Sequence, residues 1–262
     1  MRRIVAGAFI GGLALRTLVA GFNGVISHDA ACYYLPGARA LLEHGLGHWE
    51  GMTIAAPPLF PTLVAILGRA IADLEIAALS IAVLAGAAIV FPVLGLGRLL
   101  CPGADRAHAF SVLLAAVQPL SLRFGGDARA DSLYALLFAC ALWAGLRVLW
   151  RPSARGGALF GLLVGLGYLL RPEALGLLPL LAVAASAELW RRRREAGPTL
   201  RRIAGAALAT LLLLAPALAW NVLFVHDRVG VWTLSPQAGM LLDYGKGGAD
   251  PFTRLNRSRT MT

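Results

Sequence analysis

Four charged residues, in short polar segments between long apolar stretches, have side chains suited to acid–base and anion chemistry. Asp29 follows the first apolar stretch, Arg129 and Asp131 precede a later one, and Arg171 lies in a tight polar turn. A carboxylate can remove a proton from a reacting hydroxyl, and an arginine can bind phosphate through its planar guanidinium. Each acid could instead be a helix N-cap, and each arginine could extend to the lipid surface.

A metal site is the second kind of chemistry that the spacing raises. His44 and His48 are four residues apart, with Glu43 and Glu50 close by. Two glycines separate the histidines, and glycine disfavours a continuous helix, so the pair is not expected to share one helical face. The three cysteines are scattered and show neither metal spacing nor a disulfide framework. We therefore expect no cofactor, with a divalent cation as the less favoured alternative.

The composition indicates what kind of structure must position these residues. The chain has 262 residues, of which 58% are hydrophobic and 15% charged, and its mean hydropathy is +0.70. Soluble domains are about 45–50% apolar and about 25% charged, so a soluble enzyme, a disordered chain and a coiled coil are excluded. The net charge of +10 is mostly arginine between apolar stretches, where membrane topology explains it. No nucleic-acid partner is expected.

Long apolar stretches predict an all-α polytopic membrane protein. A bilayer core of about 30 Å requires about 20 apolar residues of helix. Six segments meet this length: 4–22, 75–100, 107–123, 131–150, 173–190 and 203–220. Two others, 58–72 and 156–170, are shorter. The apolar stretch of the first segment is too long for a signal peptide, and no convincing cleavage site follows it. We therefore interpret this segment as a retained span.

Positive charge predicts which way the spans face. The segment Arg191–Arg202 contains six arginines and one glutamate, which is typical of a cytoplasmic loop. Each span changes the side of the membrane, and counting back from this loop puts both ends of 58–72 outside, so that 58–72 lies on the membrane surface. The same count requires 156–170 to cross. Glycine at every fourth position from Gly157 to Gly165 would let that short span pack closely. The result is seven spans with a cytoplasmic N-terminus. Of the 14 acidic residues, 11 then lie in or beside outer loops, which favours a working face outside.

The predicted membrane module covers residues 1–220. It includes an outer loop over 23–74, in which one helix follows Asp29 and a second begins at Pro57 to Pro61, since proline suits the first helical turn. The remaining segment, 221–262, is polar and is expected to lie outside the cytoplasm as the start of a larger, truncated region.

The order of these motifs resembles that of the multi-span glycosyltransferases of the GT-C superfamily. The resemblance rests on an outer-loop aspartate followed by tyrosines, a Pro-Pro-Leu helix, Arg-x-Asp-Ser-Leu-Tyr opening a later span, and Leu-Arg-Pro-Glu after a Gly-rich span. In this chain these motifs begin at Asp29, Pro57, Arg129 and Leu170 and extend over roughly residues 1–235. The pattern is that of the protein O-mannosyltransferase-like and lipid A aminoarabinose transferase-like branch, of family 39/83 type. The latter enzymes have Glu-Lys where this chain has Ala55-Ala56, so their donor specificity is not expected here.

The resemblance implies an integral protein of the cytoplasmic (inner) membrane with its active face outside. It would move a sugar from a polyprenyl-phosphate carrier to an extracytoplasmic acceptor, which could be a lipid, a glycan or a protein. Asp29 corresponds to the catalytic base and Asp131 to a second acid of the site, while Arg171 corresponds to a basic residue that would bind the donor phosphate. Three more residues are expected at the donor site: Arg129, Glu173 and Tyr33.

Two other functions fit parts of the pattern. A truncated member of the superfamily could be an inactive membrane scaffold, which an assay of sugar transfer by the purified chain would reveal. A transporter or flippase usually has repeated halves and polar groups near the bilayer midplane. No repeat is evident, and the charged residues lie at span ends with Arg16 as the main exception. The transporter is therefore the less favoured alternative.

Overall fold

The computed structural model describes residues 1–23, 26–46, 57–191, 196–229 and 232–234, and every regular element in these ranges is helical. We number the α-helices in chain order: α1 Arg2–Phe22, α2 Leu35–His44, α3 Leu59–Ile71, α4 Leu74–Ala88, α5 Val90–Leu100, α6 Asp105–Val117, α7 Pro119–Gly125, α8 Asp131–Trp150, α9 Ala154–Tyr168, α10 Leu177–Arg191 and α11 Ala196–Val229. A π-helical turn, Ala30–Tyr34, precedes α2, and a 3-10 turn, Pro172–Gly176, precedes α10.

Several of these helices are long and apolar enough to cross a membrane. Within the described ranges, four candidate spans meet that test: Arg2–Phe22, Leu74–Leu100, Asp131–Trp150 and Leu200–Asp227. The bent pair α6–α7 would be a fifth. Helices α3 and α9 are apolar but shorter. The chain is therefore all-helical with multiple candidate spans, while the count of seven, the crossing by 156–170 and the surface position of 58–72 stay predictions.

Capping side chains determine where two of the helices begin. Asp73 Oδ1 accepts hydrogen bonds from the backbone N–H groups of Glu75 and Ile76, at 2.8 and 3.0 Å, at the start of α4. Ser153 Oγ accepts from the N–H of Gly156, at 3.1 Å, at the start of α9. Such caps satisfy backbone donors that have no partner within the helix.

The segment 107–123, predicted as one continuous span, is interrupted. Helix α6 ends at Val117 and α7 begins at Pro119, and the two axes meet at 47°. The residue before a proline is pushed out of the helical region, and Gln118 indeed has ψ of 121°. The break leaves carbonyl groups of α6 without the N–H partners that a continuous helix would supply.

Glycine allows α9 to lie against the backbone of α11, as the glycine spacing predicts. A Cβ on Gly157 would be 2.1 Å from the Ala206 carbonyl oxygen, and one on Gly161 would be 2.2 Å from that of Thr210. The Thr210 hydroxyl donates across the same contact to the Gly157 carbonyl at 3.0 Å. Small residues with a polar cross-link are typical of helix packing in membranes.

The chain divides between Ala217 and Leu218 into two units. In the first, many large apolar side chains are exposed on the helix surfaces, as in Phe110 at 67% and Val183 at 70%, which suits contact with lipid. In the second, the rings of Trp220 and Phe224 stack with centroids 5.2 Å apart.

Candidate active site

Two carboxylates and two guanidinium groups form a continuous chain of alternating charge, which we call the ion chain: Asp29, Arg129, Asp131 and Arg171. Arg129 Nη2 donates to Asp29 Oδ2 at 3.1 Å, and Arg129 Nε lies 2.9 Å from Asp131 Oδ2. Arg171 Nη2 donates to Asp131 Oδ1. The Arg129 Nε contact is an ion pair without a hydrogen bond, because the N–H does not point at the oxygen. Ion pairs thus connect three segments that are far apart in sequence.

Asp29 is the more accessible of the two acids. It immediately precedes the π-helical turn, but its side chain makes no capping hydrogen bond. It is 40% exposed and pairs with the Arg129 guanidinium, and the ring of His28 lies 4.0 Å from its second oxygen. A carboxylate held from one side with its remaining lone pairs open can accept a proton from a substrate.

Asp131 is the more enclosed acid. It is the first residue of α8, and its side chain is 16% exposed. One carboxylate oxygen faces Arg129 and the other faces Arg171. With both oxygens occupied, Asp131 is suited to orienting the two guanidinium groups rather than to taking up a substrate proton.

Each arginine of the ion chain lies over an aromatic ring. The Arg129 guanidinium carbon is 5.4 Å from the centroid of the Phe124 ring, and that of Arg171 is 5.6 Å from the Tyr134 ring. Cation–π contacts at this distance stabilise the cation and fix its plane. Arg171 is 37% exposed, so part of its guanidinium remains open to solvent. An arginine with free N–H groups on a restrained plane can bind a phosphate oxygen.

The turn that carries Arg171 is close to a hydrogen bond between the start of α3 and the end of α9. The Leu59 N–H, at the start of α3, donates to the Leu169 carbonyl at 3.1 Å, and the Arg171 N–H donates to the Gly167 carbonyl at 2.8 Å. Leu170 is buried. The start of the Pro-Pro-Leu helix is therefore hydrogen-bonded to the end of α9, two residues before Arg171.

Tyr34 is a neighbour of the ion chain that the sequence reasoning missed. Its ring is buried and lies edge-on to Phe60, with centroids 5.0 Å apart. Burial raises the pKa of Tyr34 to about 12, and the negative charges of Asp29 and Asp131 add to that shift. Tyr34 thus carries a neutral hydroxyl beside the site at physiological pH. The sequence carries no signal that separates Tyr34 from Tyr33, because the distinction comes from the π-helical turn, a feature common at functional sites.

The other two predicted donor-site residues do not join the ion chain. Tyr33 is half-buried and its ring lies edge-on to His28, with centroids 5.7 Å apart. Glu173 is exposed in the first turn of the 3-10 helix and forms no ion pair with any residue that the structure describes.

The histidines and glutamates considered as metal ligands lie only partly within the described residues. His48 and Glu50 lie outside the described residues. Among the residues that are described, no group of three His, Cys, Asp or Glu side chains is arranged to hold a metal ion. His44 Nδ1 instead lies 3.2 Å from the carbonyl oxygen of Ala40, one turn earlier in its own helix.

Comparison with known proteins identifies the family. Neither the curated proteins nor the solved structures include a match to the chain. The profile of the dolichyl-phosphate-mannose-protein mannosyltransferase family matches residues 55–220, more than half of the chain. The match includes Arg129, Asp131 and Arg171, and Asp29 precedes it. The chain therefore belongs to the dolichyl-phosphate-mannose-protein mannosyltransferase family, whose members are membrane glycosyltransferases that use lipid-linked sugar donors.

Proposed function

We propose that this chain transfers a sugar from a polyprenyl-phosphate carrier to an acceptor hydroxyl on the outer side of the cytoplasmic membrane, with Asp29 as the base. The observation that carries the proposal is the ion chain. It combines, in one cluster, an accessible carboxylate and a partly open arginine, which are the two groups that such a transfer needs. The donor's lipid tail keeps it in the bilayer, which favours a site built from the ends of membrane helices.

The proposed reaction is a single displacement at the anomeric carbon. The acceptor oxygen forms a bond to that carbon while its proton passes to the Asp29 carboxylate. The bond between the anomeric carbon and the phosphate oxygen breaks, and its electron pair leaves with polyprenyl phosphate. Arg171 stabilises the charge that develops on the leaving phosphate. Arg129 and Asp131 keep Asp29 and Arg171 in fixed relative positions.

The first test is sugar transfer by the full chain in proteoliposomes. The substrates are radiolabelled polyprenyl-phosphate sugars with candidate lipid, glycan and protein acceptors. We expect Asp29→Asn to reduce turnover by at least about a hundredfold, since a general base contributes about 10²–10⁴-fold. Asp127→Asn is the matched control, because Asp127 is in the same polar segment as Arg129 but outside the ion chain. Equal turnover in the wild type and Asp29→Asn would refute the base assignment.

The stereochemistry of the product is a second test. One direct displacement inverts the anomeric configuration, which nuclear magnetic resonance of the glycosylated acceptor reports. Retained configuration would contradict a single-step mechanism with Asp29 as base. Absence of transfer with every donor would favour the inactive scaffold, and substrate uptake into the vesicles without transfer would favour a transporter.

A further inference from the structure

Arg16 is a buried charge in the middle of α1 whose role the proposed reaction does not include. Its side chain is fully buried, and it forms no ion pair with any acid in the described ranges. Placing an arginine inside a membrane helix is energetically costly, and such residues are as a rule functional. The hydrogen-bond partners of Arg16 indicate what its role is.

The guanidinium group of Arg16 bridges α1 to both sides of the break between α6 and α7. Nη1 donates at 3.0 Å to the Ala116 carbonyl in the last turn of α6, and Nη2 donates at 2.8 Å to Ser121 Oγ in α7. A continuous helix would have supplied Ala116 with an N–H donor four residues later. In the interrupted helix, Arg16 provides that donor, so its contacts stabilise the bend.

The Arg16 side chain occupies the space beside two glycines, where a larger residue would have its Cβ. A Cβ on Gly86, in α4, would lie 2.6 Å from Arg16 Nε, and one on Gly125, at the end of α7, would lie 2.7 Å from Arg16 Cδ. The side chain is therefore enclosed between α4 and α7, and its Nε has no hydrogen-bond partner among the described residues. Close enclosure of this kind fixes the arginine in one position and, through it, the orientation of α7.

A second contact between α1 and the end of α7 lies one to two helical turns beyond Arg16. Asn23 Nδ2 donates to the Gly126 carbonyl at 2.9 Å, and a Cβ on Gly126 would lie 2.5 Å from Val19 Cγ1. After these contacts the two segments continue to the two members of one ion pair. Asp29 follows Asn23 and Arg129 follows Gly126, and their side chains meet at 3.1 Å.

We propose that Arg16 is a positioning residue for the Asp29–Arg129 ion pair, and that it acts by fixing the bend between α6 and α7 against α1. Its importance for catalysis rests on the proposed function, but its effect on the ion pair does not. Loss of Arg16 is expected to leave the helices inserted while α7, and with it Arg129, moves away from the Asp29 carboxylate.

A cysteine at position 29 makes the ion pair measurable without any enzyme activity. In a chain whose three native cysteines are replaced by serine, Asp29→Cys places a thiol beside Arg129. A neighbouring guanidinium stabilises the thiolate and lowers the pH at which the thiol is alkylated. An unfolded molecule would also react, with the midpoint of an ordinary thiol, so the midpoint is measured on the folded, monodisperse fraction isolated by size-exclusion chromatography. This measurement would be informative even if the chain transferred no sugar.

In the Asp29→Cys background, we expect Arg16→Met to raise the alkylation midpoint of the introduced thiol and to slow its alkylation at pH 7.5 by about three- to tenfold. Direct removal of the neighbouring guanidinium by Arg129→Gln should have the same effect. Ser121→Ala, which removes one acceptor and leaves Arg16 in place, should shift the midpoint in the same direction by less. Thr17→Val is the matched control, because Thr17 is the next residue of α1 and its hydroxyl donates only to the Leu13 carbonyl of its own helix. A midpoint unchanged by both Arg16→Met and Ser121→Ala would overturn the proposal, whether or not the base assignment of Asp29 holds.

Discussion

Arg171 and Asp131, 40 residues apart in sequence, are joined by a hydrogen-bonded ion pair that ties the turn after α9 to the start of α8. The pair leaves Arg171 partly exposed and leaves Asp131 with both oxygens occupied. The arginine is therefore both restrained and open on one side, which is the condition for binding an anion without a large loss of side-chain entropy.

Replacing Arg171 by alanine should impair the use of the donor more than the use of the acceptor. Loss of a charge that stabilises the leaving phosphate is expected to lower kcat/KM for the donor by about a hundredfold, with a smaller change in KM for the acceptor. Steady-state kinetics with each substrate varied in turn measures both. Arg123→Ala, at an exposed arginine of α7 outside the ion chain, is the control. Equal effects of Arg171→Ala on both substrates would count against a role at the phosphate.

Replacing Asp131 by asparagine should lower stability as well as activity. Two guanidinium groups would lose their shared carboxylate, and hydrogen bonds to charged groups are worth about 1.5–3 kcal/mol. The partial exposure of Arg129 and Arg171 reduces that value through solvent screening. A thermal melt in detergent should show a clear fall in Tm for Asp131→Asn and little change for Asp127→Asn. A Tm as high as that of the wild type would mean that the ion chain does not contribute to stability.

Tyr34 predicts a specific dependence of stability on alkaline pH. Its pKa is raised from 10.0 to about 12 in the folded protein, so above pH 10 the unfolded chain loses the tyrosine proton first. Ionisation then favours unfolding, and the stability contributed by Tyr34 is complete below pH 10 and is lost as the pH rises to about 12. The difference in Tm between the wild type and Tyr34→Phe should shrink across that window. The same difference for Tyr33→Phe serves as the comparison. A difference for Tyr34→Phe that is constant with pH would contradict the raised pKa of Tyr34.

The contact between α9 and α11 should not tolerate a side chain on the α9 glycines. A Cβ on Gly161 would be 2.2 Å from a backbone oxygen of α11, so Gly161→Ala must separate the helices and is expected to cost about 1–3 kcal/mol. Gly205→Ala is the matched control, because a Cβ there meets no described atom within 4 Å and alanine favours a helix by up to about 1 kcal/mol. Detergent melts should show a lower Tm for Gly161→Ala and an equal or higher Tm for Gly205→Ala. A Gly161→Ala protein as stable as the wild type would contradict the close approach of the two helices.

The sequence was most informative about which segments are helical. The predicted span 131–150 coincides with α8, and the helix predicted from Pro57 to Pro61 begins at Leu59. Apolar length and the first-turn preference of proline are local signals, so they can be recognised without knowing the fold. The interruption at Pro119 was also a local signal, but the apolar run around it masked the break.

The arrangement of the site could be predicted only in part. Asp29, Asp131 and Arg171 were candidates from residue type and position, yet the order of the ion chain depends on which loops meet across the bundle. The sequence pattern predicts Tyr33 at the donor site, whereas the structure buries Tyr34 near the carboxylates. A π-helical turn changes which side each residue faces, and no pattern in a five-residue segment indicates such a turn in advance.

The ion chain has an electrical consequence, because its two acids and two arginines make it formally neutral. In the proposed reaction the phosphodiester of the donor brings one negative charge to the membrane edge. After transfer, the carrier is a phosphate monoester with up to two negative charges, while protonation of Asp29 leaves the cluster with one positive charge. The sum is the same before and after the bond is exchanged. In that reaction the site would complete the transfer without importing an ion, and the spent carrier would stay electrostatically held until Asp29 released its proton to the outer aqueous phase.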